Sequence, residues 1–350
     1  MTVAFARPDQ GPAHRAAVEP AAPLVIPPIG HFVWLGKRLP ALAWLSVRSA
    51  LDRGGLSQLV LHHDDAALAA DPLAADLARR GVELRPLALG DGPDAKTAAR
   101  LTALDGLLDR PASRVNLLRL RILWHSGGVY LDTDALVLRD LTPLCRDEGF
   151  AGLERVCLPA ALYETHRPLP WLRAGLLLAL RQAVAQLRDP GAAFARVEGL
   201  FDLACNNAIL GAKPQHPLVG RLLRVAAQMP AQRALRRYQL GPRLLEEVTG
   251  NRSSQEFRLH PPHAFYPLAP EICAAYLRDD PHRELRPDAR TYVAHLYDSV
   301  LARRLGGPVD SAWLARTRGR TLLARLCEPY LDDLLALCAH DPMAAAKAGR

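Results

Sequence analysis

The chain has 350 residues, 49% of them hydrophobic and 23% charged, with a formal net charge of +8. That apolar content excludes wholesale disorder, and the length allows one large α/β domain with embellishments or two smaller domains. The basic charge is almost entirely arginine, scattered along helical stretches rather than gathered into a run, so a solvated surface is favoured and no nucleic-acid partner is expected.

The first 24 residues are rich in Ala and Pro, with Arg7, Asp9, His14, Arg15 and Glu19 interspersed, and lack the apolar core of a secretory signal. They are expected to be a disordered leader. The apolar run Ala174 to Leu180 is far short of the ~18 residues that span a bilayer. No transmembrane segment is therefore expected, which fits a soluble cytoplasmic protein, at most peripheral to the inner membrane face. The six cysteines stand far apart without a C-x-x-C pair and read as reduced core residues.

The first strand is expected over Ile26 to Leu35, where His31-Phe32-Val33-Trp34 is β-prone, followed by a helix from Pro40 to Asp52 that closes on Gly54-Gly55. Gln58 to His62 and Val82 to Leu87 read as further strands, separated by an Ala-rich helix from Asp65 to Arg80 broken near Pro72. This alternation predicts a mostly parallel sheet covered by helices. Helices follow over Ala95 to Leu108 and from a cap at Ser113 to a glycine pair at Gly127-Gly128. Asn116 and Arg119 lie on one face of the second helix. Arg119 either serves a site or is paired to a neighbouring acid.

Strands are expected again over Leu136 to Leu138, Phe150 to Val156, Asn206 to Ala212, Phe257 to His260 and Thr291 to His295. Helices are expected over Trp171 to Leu187, from His216-Pro217 to Met229, from Gly241-Pro242 to Gly250, and between Ser311 and Ala339.

The stretch Ser126-Gly127-Gly128-Val129-Tyr130-Leu131-Asp132-Thr133-Asp134 joins a helix stop, an apolar strand and two carboxylates. Residues two apart on a strand share a side, so Asp132 and Asp134 are placed to share one cation. Hard divalent cations take carboxylate oxygens while phosphates and water fill the remaining positions, an arrangement suited to holding a diphosphate. A bare D-x-D occurs about once by chance in a chain this long, so the glycine pair and the strand carry the weight.

With Asn116-Leu117-Leu118-Arg119 upstream, this stretch resembles the central motif of the D-x-D sugar-binding-region glycosyltransferases. That family includes initiating mannosyltransferases, lactosylceramide galactosyltransferases and capsule enzymes, and glucosylating bacterial toxins share its core. The first strand, Asn207 with His216-Pro217, Gly241-Pro242, and His295 to Ser299 are similar to the family's outer elements and occur in its order.

The resemblance implies an α/β fold of GT-A (Rossmann-like) type over residues 25–305, with a helical C-terminal extension over 306–350. It implies a bacterial polysaccharide-type enzyme that transfers a sugar with retention of configuration, using Mn²⁺ or Mg²⁺. The donor would be a nucleotide-sugar, with a UDP-sugar favoured over GDP-mannose, and the acceptor a carbohydrate or other hydroxyl compound. Asp134 would bind the metal, and Asp132 would face ribose, sugar and the metal's water shell. Arg119 would reach the donor phosphates or sugar, Trp34 would stack on the base with Val33 beside it, and Tyr130 and Ser299 would line the donor pocket.

Asn116 stands where the family usually has Asp, and Ser299-Val300 where it has Ser-Trp. Both departures concern the donor. From the residues alone, Asn206 and Asn207 are either polar groups near the sugar or strand-end turn residues, and His295 is either a further metal or phosphate ligand or a satisfied core histidine. Two other readings stand beside the transferase. An aspartyl phosphatase would follow its acids with Gly-Thr, whereas Ala135-Leu136 follows here. A non-catalytic binding protein that kept the fold would explain Asn116 and Val300.

Overall fold

The computed structural model describes residues 23–339 apart from 89–91, 160–161, 163–164, 188–189 and 280–288. The leader expected over residues 1–24 lies outside them except for its last two residues, and so does the expected extension beyond 339.

Nine strands are present among the described residues: β1 (Ile29–Trp34), β2 (Gln58–His63), β3 (Glu83–Pro86), β4 (Gly128–Leu131), β5 (Ala135–Val137), β6 (Gly149–Val156), β7 (Asp202–Ala212), β8 (Arg258–His260) and β9 (Val293–His295). Seven form one sheet in the order β3-β2-β1-β4-β7-β6-β8, while β5 and β9 pair separately. In the large sheet β1, β2, β3 and β4 are mutually parallel, β6 and β8 are parallel, and only β7 runs against its neighbours. The mostly parallel α/β sheet of GT-A type is therefore as expected, with one reversed strand beside β4.

The helices are α1 (Ala41–Arg53), α2 (Pro72–Arg79), α3 (Ala95–Asp105), α4 (Pro111–Ser126), α5 (Pro168–Ala185), α6 (Pro190–Val197), α7 (Pro217–Gln228), α8 (Ala231–Ala234), α9 (Pro242–Thr249), α10 (Pro262–Phe265), α11 (Asp298–Leu305), α12 (Ser311–Thr317) and α13 (Leu322–Ala339). Proline opens many of them, because its fixed φ suits the first turn and its missing N–H is no loss there. This corrects one expectation. The helix before the glycine pair starts at Pro111, with Arg110 preceding it and no side-chain cap, so Ser113 lies inside its first turn.

Side chains of β1 and β4 alternate between two cores. Phe32, Val129 and Leu131 face a cluster that also holds Trp44 of α1 and, from the C-terminal helices, Leu314, Leu323, Tyr330 and Leu334. Val33 and Tyr130 face the other, with Leu117 and Leu120 of α4 and Leu222 of α7. Residues 311–339 thus bury apolar side chains against the same sheet face as α1.

The chain can enter β4 only through glycine. Gly127 and Gly128 have φ of 63° and 102°, in the left-handed region that penalises other residues. A Cβ on Gly128 would also sit 2.6 Å from Ile29 O and 2.8 Å from His31 Nε2. On the far side of β4, β7 carries an irregularity: Ala151 pairs with Leu210 but Gly152 pairs with Asn206, so residues 207–209 bulge away from β6. Bulges re-aim backbone groups and side chains next to active sites.

Candidate active site and its cation-binding group

β4 ends at Leu131, and Asp132, Thr133 and Asp134 make a turn closed by a 3.0 Å hydrogen bond from Ala135 N–H to Asp132 O. The acids therefore converge through this turn and not, as the strand spacing predicts, by alternation on a continuous strand. The turn is held from both sides. Asp132 N–H donates to Ala208 O in the β7 bulge at 2.9 Å, and Leu296 N–H donates to Asp134 O at 2.9 Å. Asp134 Oδ2 accepts from Asp298 N–H, at the start of α11, at 2.8 Å.

His295, the last residue of β9, reaches between the acids: its Nε2 lies 3.2 Å from Asp134 Oδ1 and 4.0 Å from Asp132 Oδ2. One ligand atom from each of Asp132, Asp134 and His295 falls within 4.8 Å of the others. The acids remain 25% and 20% exposed, so a ligand can reach them from solvent.

Arg119 is buried beneath Asp132. Its Nη2 is 2.9 Å from Asp132 Oδ1, its Nη1 donates to Asn207 O, and its guanidinium lies 4.4 Å from the centre of the Tyr130 ring. Tyr130 Oη donates to the same Asp132 oxygen at 2.8 Å. Arg119 is thus paired to an acid, and that acid is the first of the D-x-D. Asn207 Nδ2 donates to Asn116 Oδ1 at 2.8 Å, while Asn206 Oδ1 accepts from Ala208 N–H at 2.8 Å. Both asparagines lie within β7, at and beside its bulge, and not in a turn at its end.

Asn116, Arg119, Tyr130, Asp132, Asp134, Asn206, Asn207 and His295 are thereby joined in one assembly. Val33 and Trp34 stand at the C-terminal end of the neighbouring β1, where Trp34 Nε1 donates to Arg38 O at 2.9 Å. Ser299 is exposed in the first turn of α11. Among the described residues none of these three hydrogen-bonds to the acids.

Residues 92–151 match the family described as "Glycosyltransferase sugar-binding region containing DXD motif". This stretch is a DXD glycosyltransferase sugar-binding region. It contains Asn116, Arg119 and both acids, so the match falls on the assembly just described. A comparison of the chain with curated proteins gives no match. Among solved structures it is similar to the PaToxG glycosyltransferase, with 15% identity over 64% of this chain and 68% of that one and a TM-score of 0.41. It is similar to mouse xyloside xylosyltransferase 1 with 13% identity over 67% and 85% and a TM-score of 0.40. A third similarity is to the WbbM bifunctional glycosyltransferase, with 13% identity over 95% of this chain and 53% of that one and a TM-score of 0.40.

Within this site the two acids differ electrostatically. Burial raises the Asp132 carboxyl above its ordinary value, although Arg119 pulls the other way. Burial would raise Asp134 too, but attraction and a hydrogen bond from His295, with the Asp298 N–H, outweigh it and hold Asp134 low. His295 is raised, since Asp134 and Asp132 overcome the burial that would lower it. Two carboxylates at a turn and one imidazole make a donor set that fits a divalent cation, Mn²⁺ more readily than Mg²⁺ because of the nitrogen. His295 Nδ1 is buried without a hydrogen-bond partner among the described residues, so the ring lacks the outer acceptor that usually orients a metal-ligating imidazole and is held instead by the acids and by Tyr297.

Three residues of the site lie in stretches the sequence marked but were given no role of their own there. Glu154, on β6, accepts from Tyr297 Oη at 2.9 Å. Burial pushes its carboxyl up, although hydrogen bonds from Asn206 and Tyr297 oppose the rise. The Tyr297 ring stacks edge-on against His295 at 4.3 Å, and its backbone sits at φ 55°, turning the chain so that Asp298 N–H meets Asp134. The only sequence signal for Glu154 is a lone acid inside an apolar strand. For Tyr297 and Asp298 there was none beyond their closeness to His295.

Proposed function

We propose that the chain is a metal-dependent, retaining glycosyltransferase that moves a sugar from a nucleotide-diphosphate donor, a UDP-sugar before GDP-mannose, to a hydroxyl acceptor. The observation that carries this reading is the group Asp132, Asp134 and His295 at the end of β4, open to solvent and backed by Arg119. Asp134, Asp132 and His295 would hold Mn²⁺ or Mg²⁺, which supplies Lewis-acid neutralisation of charge on a leaving diphosphate.

The protein's own groups do the rest. Arg119 keeps one guanidinium edge on Asp132 and Asn207 O, so it fixes the first acid and adds positive charge beside the diphosphate. Asn116 and Asn207 present amides towards the donor sugar, tied to each other by their mutual hydrogen bond. Tyr130 orients Asp132 through its hydroxyl. Trp34 and Val33 lie one strand away from the acids, at the same sheet edge, where the base of the donor would rest. Ser299, exposed just after the Asp298 N–H, would line the donor pocket. Residues 25–305 make up the transferase domain in this reading, and 306–350 a helical extension packed on the face of α1. Among the described residues no helix is long and apolar enough to cross a membrane.

The test is a thermal-shift screen of nucleotide sugars with and without Mn²⁺. A ligand that binds only the folded chain raises the melting point by mass action. A UDP-sugar is expected to give the largest rise, and only with Mn²⁺. A larger rise with GDP-mannose overturns the donor assignment, and no metal-dependent rise with any nucleotide sugar overturns the reading itself. Nuclear magnetic resonance of the first-formed product, showing the same anomeric configuration as the donor, checks retention.

A further inference from the structure

β6 runs in the same direction as β4, since both are antiparallel to β7, so their C-terminal ends open on one edge of the sheet. Beyond the end of β6 lies a cavity of about 190 Å³, between Arg155, Arg181 of α5, Phe194 of α6, and the segment from Tyr266 to Ile272. Tyr266 is the wall it shares with the cation-binding group: its ring stands edge-on to His295, with centroids 5.7 Å apart.

The chemistry of this wall is specific. Most of it is carbon, from Phe194, Pro267, Leu268 and Ile272. Its charges are already paired, Arg155 with Glu198 at 3.1 Å and Arg181 with Glu271 at 2.9 Å. A charged ligand would therefore find no counter-charge. Two polar groups of the wall are left over among the described residues: the Nε of the wholly buried Arg181 finds no acceptor, and the Tyr266 hydroxyl finds no partner. Buried donors left unpaired are costly, so an oxygen arriving from a ligand is favoured there. A cavity of about 150 Å³ holds a benzene ring, so this one suits a single substituted ring. A sugar ring of the same size would bury several hydroxyls against carbon.

We propose that this cavity is the acceptor subsite of the transferase, and that it takes an uncharged, single-ring, phenol-like hydroxyl compound with a carbonyl oxygen for Arg181 Nε. The proposal rests on the transferase reading above. In the transfer, the bond between the anomeric carbon and the diphosphate oxygen breaks, with its electron pair leaving on the nucleoside diphosphate. A bond forms between that carbon and the phenolic oxygen, whose proton is released to solvent.

The test uses the full chain with Mn²⁺, the UDP-sugar that raises the melting point most, and para-hydroxyacetophenone or maltotriose as acceptor. Nucleotide release without acceptor reports donor hydrolysis separately. Ala195→Trp, at the exposed rim of the cavity, is expected to cut transfer to the phenol at least about tenfold while hydrolysis stays within about twofold; Ala269→Phe, inside it, serves as a second plug. Saturation-transfer resonance of para-hydroxyacetophenone with each protein needs no donor, and its signal should vanish in the plugged variants. Hydrolysis without transfer to the phenol, a preference for maltotriose, or full transfer by both variants overturns the proposal. Absence of hydrolysis in the wild type defeats the transferase reading instead, and saturable phenol binding then decides the ligand class alone.

Discussion

A buried histidine stands at each end of β4, and the two behave in opposite ways. At the entrance, His31 Nε2–H donates to Gly127 O at 3.0 Å, and its Nδ1 accepts from His62 Nε2–H at 3.1 Å. At the exit, His295 faces two carboxylates. Burial pushes His31 down to about 4 and His62 to about 3, while His295 is raised because the acids overcome its burial. Equal burial does not set the charge state; what the ring faces does. The entrance is built to stay neutral and hold the chain's shape, and the exit is built around charge that a ligand can complete.

The sharpest way to break the contrast is to remove the exit acid. Asp134→Ala should lower metal-dependent donor hydrolysis by at least about a hundredfold, in line with the loss of one transition-state charge stabiliser. Stability should fall by about 3 kcal/mol, because removing one partner leaves the buried His295 imidazole and the Asp298 N–H without theirs. Hydrolysis assays and urea unfolding on the same preparation check both halves. Retention of hydrolysis would mean that the carboxylate pair is structural, like the entrance.

The entrance should respond in the reverse sense. Gly128→Ala combines a left-handed backbone with contact against Ile29 O and His31. It is expected to destabilise by about 3 kcal/mol, from strain and overpacking together. Chemical unfolding reads this directly, and a change below about 1 kcal/mol would show that the strand shifts without cost.

Acid should also strike the entrance. His31 and His62 are neutral in the native state, but their unfolded imidazoles bind protons near pH 6.5, so the unfolded chain takes up more protons as pH falls. Their stabilising contribution is complete above about pH 6.5 and is lost as pH falls towards about 4. Between pH 7.5 and 5.5 the pair should cost roughly 3 kcal/mol, and His62→Asn should flatten that slope by about half. Urea midpoints across the range measure it, and a profile unchanged by His62→Asn would place the acid sensitivity elsewhere.

Most of the fold was legible because its signals are local. Apolar strands alternate with helices through the first ninety residues, and a glycine pair with positive φ marks the start of β4. Asp132, Asp134 and Arg119 were legible for the same reason, since they sit within sixteen residues of one another. The turn that brings the acids together was not, because a strand period describes residues up to Leu131 and nothing beyond it. Nor were Glu154 and Tyr297, which meet across 143 residues of chain. The bulge in β7 that offers Asn207 O and Ala208 O to the site depends on pairing with β6, which no local pattern encodes. His295 illustrates the limit: its position was marked, but its partners decide its role, and those come from the turn after β4, roughly 160 residues earlier in the chain.

The smallest effect concerns a departure from the family pattern beside the exit. Asn116 packs against Gly241, where a Cβ would lie 2.7 Å from Asn116 Nδ2, so the side chain fills its space and only an isosteric change is tolerated. Asn116→Asp is such a change, and its carboxylate oxygen can still accept from Asn207 Nδ2, the bond now made at 2.8 Å. It also adds an acceptor for a sugar hydroxyl, three residues from the Arg119 charge that would steady it. Stability should stay within about 1 kcal/mol, and kcat/KM for the preferred donor should rise by about threefold, through KM more than kcat. A fall of tenfold would instead show that the amide's N–H is used by the donor, making Asn116 a determinant of which sugar this glycosyltransferase selects.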